Sequence, residues 1–246
     1  MASEKTRAIV LRLVDFSETS YITTLFTEDF GKVGALAKGA KRPKSAFEGA
    51  LDLLALIRIV FLRKSSDALD LLTEARLERR FRSAQRDLAR LYAGYYVAEL
   101  LAELTEPGDP HRELFVAADR TLLALDHEAP VAETVLRFEV AALALVGHMP
   151  SLDQCVGCGR PVESASRVPL AMIAGGVLCS ECRPGRRGVV SVSGTAIAAL
   201  KQAASAEDDE QPLVIEPGIR GELQAVMGNY FAHLVGHRLR MTEHLK

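Results

Sequence analysis

Hydrophobic positions in residues 6–75 form short segments, rich in β-branched, leucine or aromatic residues, that are separated by turn signals. Short runs of this composition are typical of β-strands. There are five such segments: TRAIVLRLV, SYITTLFT, KVGALAK, LLALIRIVFL and ALDLLTEA. Asp29 and Gly31, in EDFGK between the second and third segments, suit a tight hairpin connection. Five short strands in this space predict a small barrel, either an OB-fold or an SH3-like barrel.

The hydrophobic period becomes helical after about Arg79. Residues 83–104 predict a helix with one apolar face, formed by Leu88, Leu91, Tyr95 and Ala98. Asp109 and Pro110 are typical of a helix start, with aspartate as the cap and proline in the first turn. The stripe that follows them predicts a second helix, through Leu114, Phe115, Ala118, Leu122 and Leu125. Residues 131–146 are apolar almost all round, as in a helix buried among its neighbours.

Residues 150–190 are rich in glycine, proline and cysteine and show little periodicity. Two further helices are expected after them, SGTAIAALKQA with Ser193 as its cap and IRGELQAVMGNYFAHLVGHRL. We therefore predict an α+β multi-domain protein. Its parts are a β-barrel, a helical domain, a cysteine-rich module and C-terminal helices that pack with the helical domain, at residues 1–79, 80–149, 150–190 and 191–246.

All four cysteines lie in that module, as Cys155-Val-Gly-Cys158 and Cys179-Ser-Glu-Cys182. Two C-x-x-C pairs separated by 20 residues match a tetrahedral four-thiolate zinc site. Redox-active C-x-x-C motifs and paired disulfides are the alternatives; disulfides would require an oxidising compartment that nothing else indicates. Because four thiolates close the coordination shell, we expect a single structural Zn²⁺ and no catalytic metal.

Composition sets the class of protein and its compartment. The chain has 246 residues, of which 48% are hydrophobic and 25% charged, values typical of a globular protein. Neither a long apolar run nor a secretory signal is present, so we expect a cytoplasmic protein without a membrane span. The net charge is -2, but residues 1–80 carry 14 basic against 11 acidic side chains. A basic face near the N-terminus is therefore permitted.

The segment GALAKGAKRPKS, residues 34–45, concentrates cationic side chains at Lys38, Lys41, Arg42 and Lys44. Its two glycines have the spacing of a P-loop, but Ala40 and Lys41 stand where that motif needs lysine and a hydroxyl. A nucleotide-hydrolysing loop is thereby disfavoured. The segment is either a contact surface for nucleic-acid phosphates or a solvated turn.

Motifs of known catalytic arrangements are missing from the sequence, including those of zinc proteases, serine hydrolases and dinucleotide-binding enzymes. A binding protein is therefore predicted, and no enzyme. Two other classes stay open. One is a structural adaptor that recruits proteins through its helices and cysteine module, and the other is a nuclease without a recognisable motif.

Several segments, in the same order, resemble the RecO family of bacterial DNA repair and recombination mediators. They are FTEDFGKVGALAKGAKRPKS, AELLAEL followed by HRELF, and RFEVAALALVGHMPSLDQCVGCG followed by GGVLCSEC. The resemblance implies an N-terminal OB-fold, a helical domain and a zinc module. It also implies binding of single- and double-stranded DNA, annealing of complementary strands, and assistance to RecA loading on coated single strands, with RecR and single-strand binding protein as partners.

The resemblance assigns site residues in this chain as well. The basic loop supplies DNA contacts through Lys38, Lys41, Arg42 and Lys44, and the zinc ligands are Cys155, Cys158, Cys179 and Cys182. Single-strand binding by barrels usually adds aromatic platforms for the bases. Phe30, in the hairpin turn, and Phe47, beside the basic loop, are the predicted stacking residues. The expected location is the cytoplasm, near the nucleoid.

Overall fold

The structure is a computed structural model of the chain. It describes residues 3–47, 49–64, 68–83, 86–127, 129–163, 165–205 and 213–245. The chain divides into two compact units, Met1–Ala129 and Pro130–Lys246. The four-part division predicted from the sequence stays a prediction.

The first unit contains a closed five-stranded barrel, in the order β1-β2-β3-β5-β4. Its strands are β1 Ser3–Ser17, β2 Ser20–Thr27, β3 Gly31–Ala37, β4 Leu56–Leu62 and β5 Asp70–Arg79. Neighbouring strands are antiparallel except β3 and β5, which pair in parallel and close the barrel. This closure gives an OB-like barrel and confirms the predicted N-terminal architecture.

The connection between β2 and β3 is the tight hairpin that EDFGK predicts. Gly31 adopts the left-handed conformation, with φ of 64°. The Thr27 hydroxyl accepts a 3.0 Å hydrogen bond from the Phe30 N–H and donates a 2.7 Å bond to the Gly31 carbonyl. The turn is therefore fixed by its own side chains.

Strand β1 carries two bulges, between Val10 and Arg12 and between Asp15 and Ser17. Ala8 and Val10 point into the barrel core, and after the first bulge Leu13 packs against the same core. A bulge adds one residue to one strand, so the alternation of inward and outward side chains changes parity there. The bulges therefore determine which residues at the end of β1 face away from the barrel core, and residues 14–17 are exposed there.

The described residues of the first unit also form the helices α1 Leu88–Leu104 and α2 Arg112–Asp126. The predicted stripe of α2 is confirmed, since all five of its residues are buried. The predicted face of α1 is wrong: Leu88 is 60% exposed, although Ala98 is buried. Helix α1 contacts both β1 and α2, and it therefore buries a broader and rotated face. That face consists of Ala93, Gly94, Tyr96, Val97, Ala98, Leu100 and Leu101.

The predicted cap of α2 is also wrong. The helix begins at Arg112, and its N-cap is His111, which makes no side-chain capping hydrogen bond. Asp109 lies against the β2–β3 turn, where a Cβ added to Gly31 would stand 2.0 Å from the Asp109 carbonyl oxygen. Close packing on the barrel thus determines the path of the chain before α2.

The second unit combines three helices with a small antiparallel sheet in the order β7-β6-β8. Its elements are α3 Val131–Leu145, β6 Arg167–Ala171, β7 Gly176–Val177, β8 Val189–Ser193, α4 Gly194–Ser205, α5 Pro217–Val235 and the 3-10 helix Met241–His244. Ser193 caps α4 as predicted, because its hydroxyl accepts a 3.2 Å bond from the Ala196 N–H. Among the described residues, no helix is long and apolar enough to cross a membrane.

Candidate metal centre and nucleic-acid interface

The four cysteines converge at one point of the second unit. Their sulfur atoms all lie within 4.8 Å of one another, and the Sγ atoms of Cys158 and Cys179 are 3.8 Å apart. The side chains form no disulfide. Cys155 is buried, and Cys158 is exposed. The cluster is therefore open to solvent on one side only.

The turn through the first C-x-x-C pair is tight, and glycines make it possible. The Gly159 N–H donates a 2.7 Å hydrogen bond to the Cys155 carbonyl, and Gly159 has a φ of 73°. A Cβ added to Gly157 would stand 2.9 Å from the Cys182 Cβ and 3.0 Å from its sulfur. Only glycine lets the two C-x-x-C turns approach this closely.

Backbone N–H groups point at the buried sulfur. Burial of the Cys155 sulfur opposes its ionisation, yet N–H groups of Cys179 and Gly157, at 3.3 and 3.4 Å, lower the pKa of this thiol to about 6. Hydrogen bonds with Cys179 and Cys158 raise the pKa of the Cys182 thiol to about 12. These shifts favour ionisation of Cys155 and oppose ionisation of Cys182. A bound cation would remove that opposition, because its positive charge stabilises thiolates.

Arg160 covers the exposed side of the cluster. Its Nε donates to the Cys158 sulfur at 3.4 Å, and its other nitrogens form an ion pair with Glu181. The Arg160 hydrogen bond lowers the pKa of the Cys158 thiol, and it lowers the pKa of the Glu181 carboxyl as well. One guanidinium therefore joins the two C-x-x-C motifs, through Cys158 of the first and Glu181 inside the second.

These observations fit a metal ion bound by four thiolates. The four sulfur atoms lie close enough together to bind one ion. The lowered pKa of the buried Cys155 thiol favours the thiolate form that a metal ion requires. Thiolates select soft or borderline ions over Mg²⁺ and Ca²⁺, which prefer oxygen. Since all four positions of a tetrahedron are filled by protein, the site suits a structural role.

The basic loop leaves the barrel after β3 and lies against the β1–β2 hairpin. The Gly39 N–H donates to the Ser20 hydroxyl at 3.1 Å, and the Lys41 N–H donates to the Thr19 carbonyl at 3.0 Å. The Ser45 hydroxyl closes the loop on itself through a 3.0 Å bond to the Ala40 carbonyl. The loop therefore has a defined conformation on the barrel.

The four predicted cations of this loop fall into two groups. Lys38, Arg42 and Lys44 are exposed. Lys41 is half-buried: its ammonium pairs with Asp15 at 2.5 Å and stands 4.7 Å from the centre of the Tyr21 ring. Three side chains are thus available to a ligand, whereas Lys41 holds the loop on the hairpin.

Comparison with known proteins connects both sites to one family. The family profile described as "Recombination protein O N terminal" matches residues 1–81, which contain the barrel and the basic loop. The profile described as "Recombination protein O C terminal" matches residues 85–243, which contain the cysteine cluster. The chain belongs to the RecO family. Its resemblance to that family, proposed from sequence segments, is confirmed.

Individual RecO relatives match nearly the whole chain. The DNA repair protein RecO of Rhodopirellula baltica is 50% identical over 213 residues, which cover 85% of this chain and 77% of the relative. The proteins of the same name from Anaeromyxobacter dehalogenans and Myxococcus xanthus are 34% and 33% identical, and each match covers 96% of this chain. The matches cover 92% and 94% of those two relatives.

The two aromatic residues predicted for base stacking in this RecO protein lie in or against the barrel core. Phe47 is 5% exposed and is part of that core. Phe30 is half-buried: its ring meets the Phe61 ring edge-on at 5.5 Å, and the Arg63 guanidinium lies 5.9 Å from its centre. Phe47 is thus closed to a base, and Phe30 presents only part of its ring.

Sequence reasoning preferred Phe30 and Phe47 to Phe16, which is 59% exposed at the end of β1. The residue lies within the second bulge of β1, in the β1–β2 hairpin against which the basic loop lies. Its neighbours Asp15, Ser17 and Glu18 are all polar, and this was the available signal. Apart from Val14, every residue within two positions of Phe16 is polar, a pattern that favours exposure of the ring.

Proposed function

We propose that this RecO protein binds single- and double-stranded DNA without sequence specificity and acts as a DNA repair and recombination mediator. The observation that carries the proposal is a loop with three exposed cations, fixed against one end of an OB-like barrel. Its relatives are named DNA repair proteins. Barrels of this class commonly bind oligonucleotides near their connecting loops.

The chemistry of the loop suits phosphates. Lysine offers a point charge and arginine a planar fork to phosphate oxygens, and such contacts give affinity that does not depend on base sequence. Lys38, Arg42 and Lys44 are the proposed phosphate contacts, and Lys41 is proposed to hold the loop in place. Phe30 is retained as a partial aromatic contact, whereas the burial of Phe47 argues against a direct role.

Annealing of complementary strands follows from the same surface. Neutralised phosphates repel each other less, and two strands held on one protein meet at a raised local concentration. No covalent step is required. The family relationship supports RecR and single-strand binding protein as partners and RecA loading as the outcome, in the cytoplasm near the nucleoid.

We also propose that the cysteine cluster holds one structural Zn²⁺. Four sulfurs at about 2.3 Å from a tetrahedral Zn²⁺ stand about 3.8 Å apart, close to the Cys158–Cys179 separation. Elemental analysis of protein purified without added metal should give one zinc per chain. A Cys158→Ser variant should lower that ratio, whereas Ser180→Ala, in the same module, should leave it unchanged.

Salt dependence of binding to fluorescent single-stranded DNA tests the DNA proposal. Each phosphate contact contributes about -0.7 to the slope of log K against log salt, so alanine at Lys38, Arg42 and Lys44 should make the slope shallower by about 2 units. A matched triple variant at Arg183, Arg186 and Arg187, beside the cysteines, serves as the control. An unchanged slope in the loop variant, with a change in the control, would move the DNA site to the cysteine module.

Two further outcomes separate the other classes of function. Wild-type DNA affinity in both triple variants would favour the structural adaptor. Shortened labelled DNA after incubation with Mg²⁺ would favour a nuclease. A failure to accelerate strand annealing above the rate in buffer would contradict the annealing part of the proposal.

A further inference from the structure

Phe16 is an exposed aromatic residue that the barrel directs outward. Asp15 pairs with Tyr21 and Ser17 pairs with Ser20, so Phe16 is the extra residue of the bulge. Bulges re-aim side chains and are common beside functional sites. The ring is 59% exposed, although burial of such a ring is ordinarily favourable. An aromatic ring held outward in this way is suited to a ligand.

Lys41 places the basic loop against the residues that flank Phe16. The Lys41 ammonium lies 2.5 Å from the Asp15 carboxylate and 3.3 Å from the Ser17 carbonyl, the two residues that flank Phe16. The exposed ring is therefore placed at the edge of the basic loop. Lys41 also offsets the charge of Asp15, which leaves Glu18 as the exposed acid at the tip of the hairpin.

A ligand that fits this surface carries negative charge and presents flat apolar faces. Lys38, Arg42 and Lys44 attract phosphates, and the Phe16 ring offers a π-surface beside them. Single-stranded DNA has both features, because its bases can unstack and lie on an aromatic side chain. In duplex DNA the faces of the bases are stacked inside the helix. The β1–β2 loop next to Phe16 is also one of the loops with which OB-folds bind oligonucleotides.

We infer that Phe16 stacks on a base of single-stranded DNA whose phosphates lie on the basic loop, and that this contact favours single strands over duplex. The inference rests on the proposed DNA-binding function and deepens it. Phosphate contacts serve both forms of DNA, whereas the Phe16 contact serves only the unpaired strand.

The test compares variants at Phe16 for binding to single-stranded and duplex oligonucleotides of one length. Removal of a stacked ring costs about 5- to 150-fold in affinity, so Phe16→Ala should weaken single-strand binding by that factor. Duplex binding should stay within about twofold. Phe16→Tyr should restore affinity because it keeps the ring, whereas Phe16→Leu should not. Leu88→Ala, at another exposed apolar residue, is the control and should change neither affinity.

A spectroscopic readout follows from the composition. The chain contains no tryptophan, so Phe16→Trp introduces a single indole fluorophore. Single-stranded DNA should quench its fluorescence by stacking, and duplex DNA should not. Equal quenching by both forms, or equal loss of both affinities in Phe16→Ala, would overturn the inference.

The outcomes distinguish this inference from the proposed function. If the triple alanine variant of the basic loop loses DNA affinity while every Phe16 variant binds normally, the stacking contact is disproved and the function stands. If the basic-loop variant and the triple variant at Arg183, Arg186 and Arg187 both bind like wild type, the proposed function itself fails. Urea unfolding of Phe16→Ala should match wild type, which excludes misfolding as the cause of weak binding.

Discussion

The barrel and the cysteine module reach a folded state by different means. The barrel encloses a core of many buried apolar side chains, among them Leu25, Ile57, Ile59 and Phe61. Among the described residues, the core around the cysteines comprises only Cys155, Ala171 and Leu178 as fully buried members. Burial of apolar area stabilises the first region. The second has too little of it, and metal coordination is the expected source of its stability.

The two regions also differ in how they use left-handed backbone. The cysteine module places glycine at such positions, for example at Gly159 and Gly188. The basic loop has glycine at Gly39 but lysine at Lys44, with a φ of 58°. A non-glycine residue there is strained. The module thus uses glycine at its left-handed turns, whereas the loop retains a charge there at a conformational cost.

The largest expected effect comes from removal of the metal. Zinc binding to small metal modules contributes roughly 10–16 kcal/mol of apparent free energy, so chelation should unfold the region around the cysteines. Hydrogen exchange should show lost protection across the segments next to Cys155 and Cys179 and retained protection in the barrel strands. Single-stranded DNA affinity should fall by less than about twofold, since the basic loop lies in the other unit.

Cys155→Ser provides the genetic counterpart of chelation, and Ser180→Ala is its control because that exposed serine offers no sulfur ligand. Full hydrogen-exchange protection in Cys155→Ser would show that the module does not depend on the ion. The contrast between the two regions would then be lost.

The second effect is a test of the barrel core. Phe61 is fully buried and packs edge-on against Phe30. Phe61→Ala should lower the free energy of unfolding of the barrel by about 3–5 kcal/mol, whereas Phe16→Ala should change it by less than about 0.5 kcal/mol. Urea unfolding measures both, and zinc content should be unchanged in each. A loss of zinc in Phe61→Ala would show that the two regions are thermodynamically coupled.

Local patterns predicted most of the fold and the cysteine cluster. The strands were predictable because each is a short run of β-branched, leucine or aromatic residues between turn signals, and the apolar stripe of α2 was predictable because that helix buries a single face. The cysteine cluster was predictable because C-x-x-C spacing already places two sulfurs together within each turn. In these cases the sequence neighbours of a residue determine its environment.

Other features depend on contacts between distant residues. Helix α1 is apolar on more than one side, so only its partners decide that Tyr96 is buried and Leu88 exposed. The bulges of β1 change which of its side chains face the barrel core, and no residue pattern in the sequence marks them. They leave Phe16 exposed. Phe47 follows the basic loop in sequence, yet the connection between β3 and β4 returns it to the barrel core. The sequence shows Lys41 only as one of four cations in the basic loop. It does not show that Lys41 is half-buried and paired with Asp15, whereas the other three cations are exposed.

The smallest expected effect concerns the strained position in the basic loop. Lys44→Gly relieves the left-handed strain, which costs roughly 1–2 kcal/mol for a residue with a Cβ, but glycine adds about 0.5–1 kcal/mol of unfolded-state entropy. The net result should be a gain of about 0.5–1 kcal/mol in stability by urea unfolding. The same variant removes one cation, so its salt slope for single-stranded DNA should become shallower by about 0.7. Lys38→Gly, where the backbone is not left-handed, should show the same change in slope without the gain in stability. A stabilised variant with the wild-type salt slope would mean that Lys44 makes no DNA contact. The basic loop and the cysteine module would then differ only in the residue that each places at a left-handed turn.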